Sequence, residues 1–188
     1  LLDGSVVNFS GIENIICFAA GTRIATTTGL LAIETLQPDE QVITRDNGLQ
    51  PVRWISQSTV PATGNLAPVR IPAGCFGAER DLLVSPQHRM LFCGAASTLL
   101  FDENEVLVPA LHLVNGSTVR QETGGTVTYV HLLFDQHEII YAEDCPTESF
   151  FPGDQALEAL SGPALYSLFN CMPELRAAPD IFGPTARQ

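Results

Sequence analysis

Turn signals recur roughly every ten residues through the first 150 positions, which confines the chain to short strands and an all-β body. Thr22 to Thr28 is rich in β-branched residues and stops at Gly29. Gln41 to Arg45 runs into Asp46-Asn47-Gly48, a hairpin turn, with Pro51 to Ile55 as the expected returning strand. Val69 to Ile71, Leu82 to Val84, Met90 to Phe92 and Glu105 to Val108 read as further short strands, and Asn115-Gly116 marks another turn. Gly124-Gly125 opens the clearest strand, Thr126 to Phe134, and Glu138 to Ala142 is the last one expected.

After Phe151-Pro152-Gly153 the period changes. Asp154 is placed to cap a helix carrying Ala156, Leu157 and Leu160, and Leu165, Leu168 and Phe169 mark a second. The chain therefore divides into an upstream arm (1–16), a β domain (17–152) and a helical C-terminal extension (153–188).

At 45% hydrophobic residues the chain has material for a real core. Its formal charge is 9 − 21 = −12, and every basic side chain is Arg because Lys is absent. So acidic a surface repels phosphate, which argues against nucleic acid or an anionic membrane as partner. Without Lys there is no Schiff-base chemistry and no phosphate-loop lysine. No apolar run approaches the roughly 18 residues of a membrane span, and Asp3 interrupts the start before a signal peptide can form. The five cysteines are odd in number and lack CxxC spacing, so a zinc knuckle is not expected and at least one thiol is free or pairs between chains.

Three separated patterns carry the chemistry. They are Cys17-Phe18-Ala19-Ala20-Gly21-Thr22, Ser85-Pro86-Gln87-His88 directly after an apolar strand, and Tyr129-Val130-His131-Leu132 followed by Asp135-Gln136-His137-Glu138-Ile139. In this order they resemble the hedgehog/intein (Hint) module. Ala32 to Val42 is similar to the turn that family carries between its first blocks, with Asp39 where Gly is usual. Thr147 to Gly153 (TESFFPG) resembles the bacterial Hint-like subgroup. The resemblance covers about Ile15 to Pro152 and implies a horseshoe-like, all-β Hint fold.

It also implies autocatalytic cleavage by an N-to-S acyl shift. A thiol just after the scissile bond attacks the preceding carbonyl through a five-membered ring, which gives a large effective concentration. Here Cys17 sulfur would attack the Ile16 carbonyl and turn the amide into a thioester. His88 is the expected proton donor to the leaving nitrogen, and Ser85 a hydrogen-bonding partner of the scissile amide or oxyanion. His131 stands where the family places a residue assisting proton movement, and His137 matches its later block histidine.

Two departures shape the expectation. Inteins end in His-Asn before a nucleophile, whereas this chain has Glu148-Ser149 at that place and no Asn between Asn115 and Asn170, so full splicing is not expected. Asp144-Cys145 imitates a junction only superficially, because it falls in a turn where relatives carry Gly. Gln57 stands where hedgehog proteins use an Asp to activate a sterol, so sterol transfer is not expected. The thioester is then resolved by water or by a small thiol or amine, in a single-turnover reaction without cofactor whose substrate is the chain's own upstream segment. The alternatives are a catalytically weak Hint fold serving as an interaction module, a conventional cysteine hydrolase, or a zinc site built from Cys17, His88, His131 and His137. Asp3 to Ile16 resembles the ends of calcium-binding repeats of exported bacterial proteins, which favours an extracellular location. His112 and Asp135 are expected to be structural and surface residues.

Overall fold

The computed structural model describes residues 16–177 and 182–187 of the 188. The upstream arm therefore lies outside the described residues except for Ile16. In chain order the strands are β1 (Phe18–Ala19), β2 (Arg23–Thr26), β3 (Gly29–Ala32), β4 (Gln41–Thr44), β5 (Gly48–Pro51), β6 (Trp54–Pro61) and β7 (Val69–Ile71). There follow β8 (Leu82–Val84), β9 (Arg89–Cys93), β10 (Glu105–Pro109), β11 (Arg120–Gln121), β12 (Thr126–Leu133), β13 (Ile139–Ala142) and β14 (Cys145–Glu148). The helices are α1 (Ala95–Phe101), α2 (Asp154–Ala159), α3 (Gly162–Cys171) and α4 (Glu174–Ala177).

The strands form two antiparallel sheets, the all-β architecture expected, with the helices of α2–α4 at the C-terminal end. One sheet has the order β11-β7-β8-β1-β12-β6, and the other β10-β9-β14-β13-β2-β4-β5 with β3 beside β2. The largest apolar cluster takes Phe18, Val84, Val130 and Leu132 from the first sheet and Ile24, Val42, Met90 and Ile140 from the second, so the sheets pack on one another. Removing a fully buried ring such as Phe18 would cost about 3–5 kcal/mol.

Strand periodicity then sends the alternate residues of the first sheet to its other face. There Trp54 and Leu133 join Phe150 and the apolar residues of α2–α4 in a second cluster, and Tyr129, Val60 and Val127 join Cys17 and Ala159 in a third. Both faces of β12 are thus covered. This explains why it is buried from Tyr129 to Leu133 without alternation.

Several elements differ from the sequence expectation. The tight turn at Asp46-Asn47 pairs Thr44 with Gly48, so the return begins at Gly48, earlier than Pro51. The chain then changes sheets: Val52 N–H still donates to Glu40 in the second sheet, and Arg53 N–H to Leu133 in the first. The residue preceding α2 is Gly153, and Asp154 is its first helical residue. Ser161 caps α3, accepting from Ala164 N–H. β1, β3, β11, β14, α1 and α4 have no counterpart among the elements expected from the sequence. β13 and β14 are joined through Glu143 and Asp144, both left-handed at φ 49° and 65°, the geometry of a tight mirror-type hairpin turn.

Candidate functional site

Register brings the separated motifs together. β1 lies between β12 and β8, with Phe18 opposite Val130 on one side and Val84 on the other. Continuing both ladders back by one residue sets Cys17 between His131 and Ser85, on the same face of the sheet. Ser85 N–H donates to the Cys17 carbonyl at 2.9 Å, and Cys17 N–H donates to Ser85 Oγ at 3.0 Å. His131 Nδ1 stands 3.3 Å from Cys17 Sγ and 3.3 Å from the Ile16 carbonyl oxygen. The thiol, the carbonyl and the amide N–H of the Ile16–Cys17 link are therefore each met by a side chain.

The site is dry. Cys17 is 1% exposed and His131 2%. Burial holds the Cys17 thiol well above its ordinary range, and burial lowers His131 to about 4, an effect opposed by the Ile16 carbonyl, which favours the form protonated on Nδ1. The imidazole packs in a triangle with two aromatic rings: the Trp54 indole stacks on it at 6.0 Å, Phe150 meets it edge-on at 5.1 Å, and those two rings are 5.8 Å apart. Trp54 is itself held, donating its indole N–H to Ser167 Oγ of α3 at 2.9 Å. Tyr129 shares the cluster with Cys17 and donates its hydroxyl to the Leu66 carbonyl at 2.9 Å.

His88 is placed elsewhere. Its ring packs against Phe18 at 4.3 Å, in the core between the sheets, and its Nε2 bonds Thr147 Oγ1 of β14. The Thr147 hydroxyl donates to the Arg89 carbonyl at 2.9 Å, so it accepts from His88, whose proton sits on Nε2. Nδ1 is then a bare, buried acceptor without a partner among the described residues. Burial lowers His88 to about 3, so it rests neutral. In this arrangement it bonds Thr147 and makes no bond to the scissile link.

His137 is further removed. Its Nδ1 accepts the Ala186 N–H at 2.9 Å, which places its proton on Nε2, 3.2 Å from Glu148 Oε2. Glu148 is fully buried; burial raises its pKa, and its Oε1 accepts the Arg89 N–H at 2.8 Å. The structure thus joins Cys17, Ser85 and His131, and sets His88 and His137 in separate buried pairings. The four candidate zinc residues do not gather, and among the described residues no three His, Cys, Asp or Glu are arranged to hold a metal.

The remaining expectations concern single residues. All five cysteines are free thiols. His112 is exposed in a short 3₁₀ helix, Gln57 is exposed on β6, and Asp135 pairs with Arg53 at 3.0 Å on the surface. Reading the sequence missed Trp54, Phe150 and Thr147 as partners of the two histidines. The one available signal was that Trp54 is the sole tryptophan and sits just after the hairpin that leads into β6.

A family model described as a Hint domain matches residues 16–154. Among solved structures, the chain is similar to a bacterial intein-like domain from Clostridium thermocellum, at 16% identity and a TM-score of 0.52, over 72% of this chain and 99% of that one. It is also similar to a DnaB intein from Synechocystis, at 10% identity and a TM-score of 0.47, over 71% of this chain and 97% of that one. No curated protein matches it.

Proposed function

The chain belongs to the Hint domain family, and from that premise we propose that it cleaves its own upstream segment at Ile16–Cys17 by an N-to-S acyl shift. The observation that carries this reading is the position of His131 Nδ1, equally close to the thiol that must lose a proton and to the carbonyl oxygen that must gain negative charge. As a neutral imidazole it accepts the Cys17 proton on Nδ1. The resulting N–H faces the oxygen on which the tetrahedral intermediate places its charge. Sulfur bonds to the Ile16 carbonyl carbon, the carbon–nitrogen bond breaks, and the proton taken from sulfur passes to nitrogen. The products are an Ile16 thioester on Cys17 Sγ and a free Cys17 amine.

Ser85 Oγ, already bonded to that nitrogen, holds it as it changes from planar amide to amine. This makes His131 the principal proton carrier. His88 supports the Ser85–His88 turn, closed by a 3.0 Å bond from His88 N–H to the Ser85 carbonyl, and keeps a bare Nδ1 in the buried layer behind Phe18. Water then releases the upstream segment as a carboxylate, and an external thiol or amine releases it as a new thioester or amide. Cleavage without splicing is supported by Glu148 and Ser149, which are locked into sheet contacts: Ser149 Oγ accepts the Glu138 N–H at 3.0 Å.

One observation favours the weaker reading of a Hint fold with little activity. Burial disfavours both the thiolate and the imidazolium, so the reactive ion pair is scarce at rest. Fusing a tagged protein upstream of Leu1 separates the two. Under the proposal, the intact mass falls to a fragment ending at Ile16, faster with dithiothreitol, at a rate independent of protein concentration, and not in Cys17→Ala. An unchanged mass in a folded fusion would leave only the weaker reading.

A further inference from the structure

The family match ends at residue 154, and the chain continues through α2, α3 and α4. Those helices pack onto the face of the first sheet that carries the site. Ile16 is 8% exposed, and it lies in one continuous apolar cluster with Trp54, Leu133 and Phe150 of the β body and with Leu157, Leu160 and Leu168 of the extension. Ala159 closes the neighbouring cluster over Cys17. Two polar bonds hold the helices to the stretch before and within β6: Ser167 Oγ accepts the Trp54 indole N–H at 2.9 Å, and the Cys171 thiol donates to the Arg53 carbonyl at 2.9 Å.

We infer that the C-terminal helices build the binding site for the side chain of the residue before the scissile bond, and that this site selects upstream segments ending in a large aliphatic residue. The inference rests on the cleavage proposed above and names its substrate class. Ile16 shares its cluster with apolar side chains and the indole, whose N–H Ser167 already occupies, and His131, packed on Trp54 and Phe150, faces the Ile16 carbonyl. A polar side chain at position 16 would be desolvated among these apolar residues, and a small one would leave a void. Seating the side chain also fixes the carbonyl against His131, so occupancy of this site and the geometry of attack are coupled. The helices that close over Ile16 also shield the thioester from water.

The test varies residue 16 in the upstream fusion (Ile, Leu, Ala and Asp) in three backgrounds: the parent chain, Leu168→Ala and Leu160→Ala. In the parent, cleavage with Ile or Leu should exceed that with Ala by roughly tenfold, and Asp should lose roughly a hundredfold or more. In either extension variant the preference for Ile over Ala should shrink several-fold, because the cavity no longer distinguishes them. The same ranking at undiminished size in both variants would overturn the inference while leaving the acyl shift in place. A second readout does not need cleavage. In the uncleavable Cys17→Ala fusion, Ile16→Ala and Leu168→Ala should lower the melting temperature by less together than the sum of their separate effects. Additive shifts would overturn the site, whereas coupled shifts here together with a parent fusion, Cys17 intact, that never cleaves would keep the site and overturn the acyl shift.

Discussion

Lowering the pH from about 7 to about 5 is expected to destabilise the folded chain by about 4 kcal/mol through His88 and His131. Both imidazoles are fully buried, and burial holds them at about 3 and about 4, whereas an unfolded chain leaves them near 6.5. Between those values the unfolded state binds more protons than the folded one, so the stability present above about pH 6.5 is lost as the pH falls. Each histidine contributes a loss of about 2 kcal/mol by pH 5, a large share of the 5–15 kcal/mol that domains typically possess. Glu148 acts in the opposite direction, since its raised pKa makes the folded state take up a proton first. A variant therefore isolates the histidine effect better than the total does. Urea unfolding of the uncleavable Cys17→Ala chain should be followed at pH 7, 6 and 5, with and without His131→Gln. The variant should recover about 2 kcal/mol of the pH-dependent loss, whatever it costs at neutral pH. Parallel pH profiles for the two proteins would refute the assignment of His131 as a buried neutral base.

Other perturbations follow from single contacts. Thr147→Val keeps the volume but strands the His88 Nε2–H, and should cost about 1–3 kcal/mol in urea unfolding, an effect that His88→Gln should largely mask. Ser85→Ala removes the acceptor of the scissile amide and should slow cleavage by about ten- to a hundredfold while the far-ultraviolet spectrum stays unchanged. Asp144→Gly relieves a left-handed residue in the β13–β14 turn and should raise the unfolding free energy by up to about 1 kcal/mol.

How far the molecule could be read from its sequence varies by element. Val69 to Ile71 and Leu82 to Val84 appear in the structure with the expected limits, because short apolar runs bounded by turn residues have few alternatives. β6 was seen only at its start, since Ser56, Gln57, Ser58 and Thr59 are polar and partly exposed; what makes them a strand is the ladder to β12, a contact distant in sequence. β1 is two residues long and has no period to detect. α1 follows β9 after Gly94 alone and is too short to show a helical repeat. At the site, Cys17, Ser85 and His131 each stood out as a motif member. Their convergence depends on how β1 registers against β8 and β12, which no local pattern encodes. The pairing of His88, just before β9, with Thr147 depends on how β9 registers against β14 and is invisible for the same reason. The helices were legible from the period change after Gly153, but the face they cover was not.

Under the proposed acyl shift Ile16 becomes a thioester on Cys17 before the chain is cut, and hydroxylamine trapping distinguishes that thioester from the peptide bond. Hydroxylamine captures a thioester as a hydroxamic acid and leaves an ordinary peptide bond untouched. The upstream fragment released from the fusion should carry a hydroxamate at Ile16, absent in Cys17→Ala and strongly reduced in His131→Gln. A fragment that ends at Ile16 only as a free acid despite hydroxylamine, or a hydroxamate that survives the Cys17 substitution, would contradict the account.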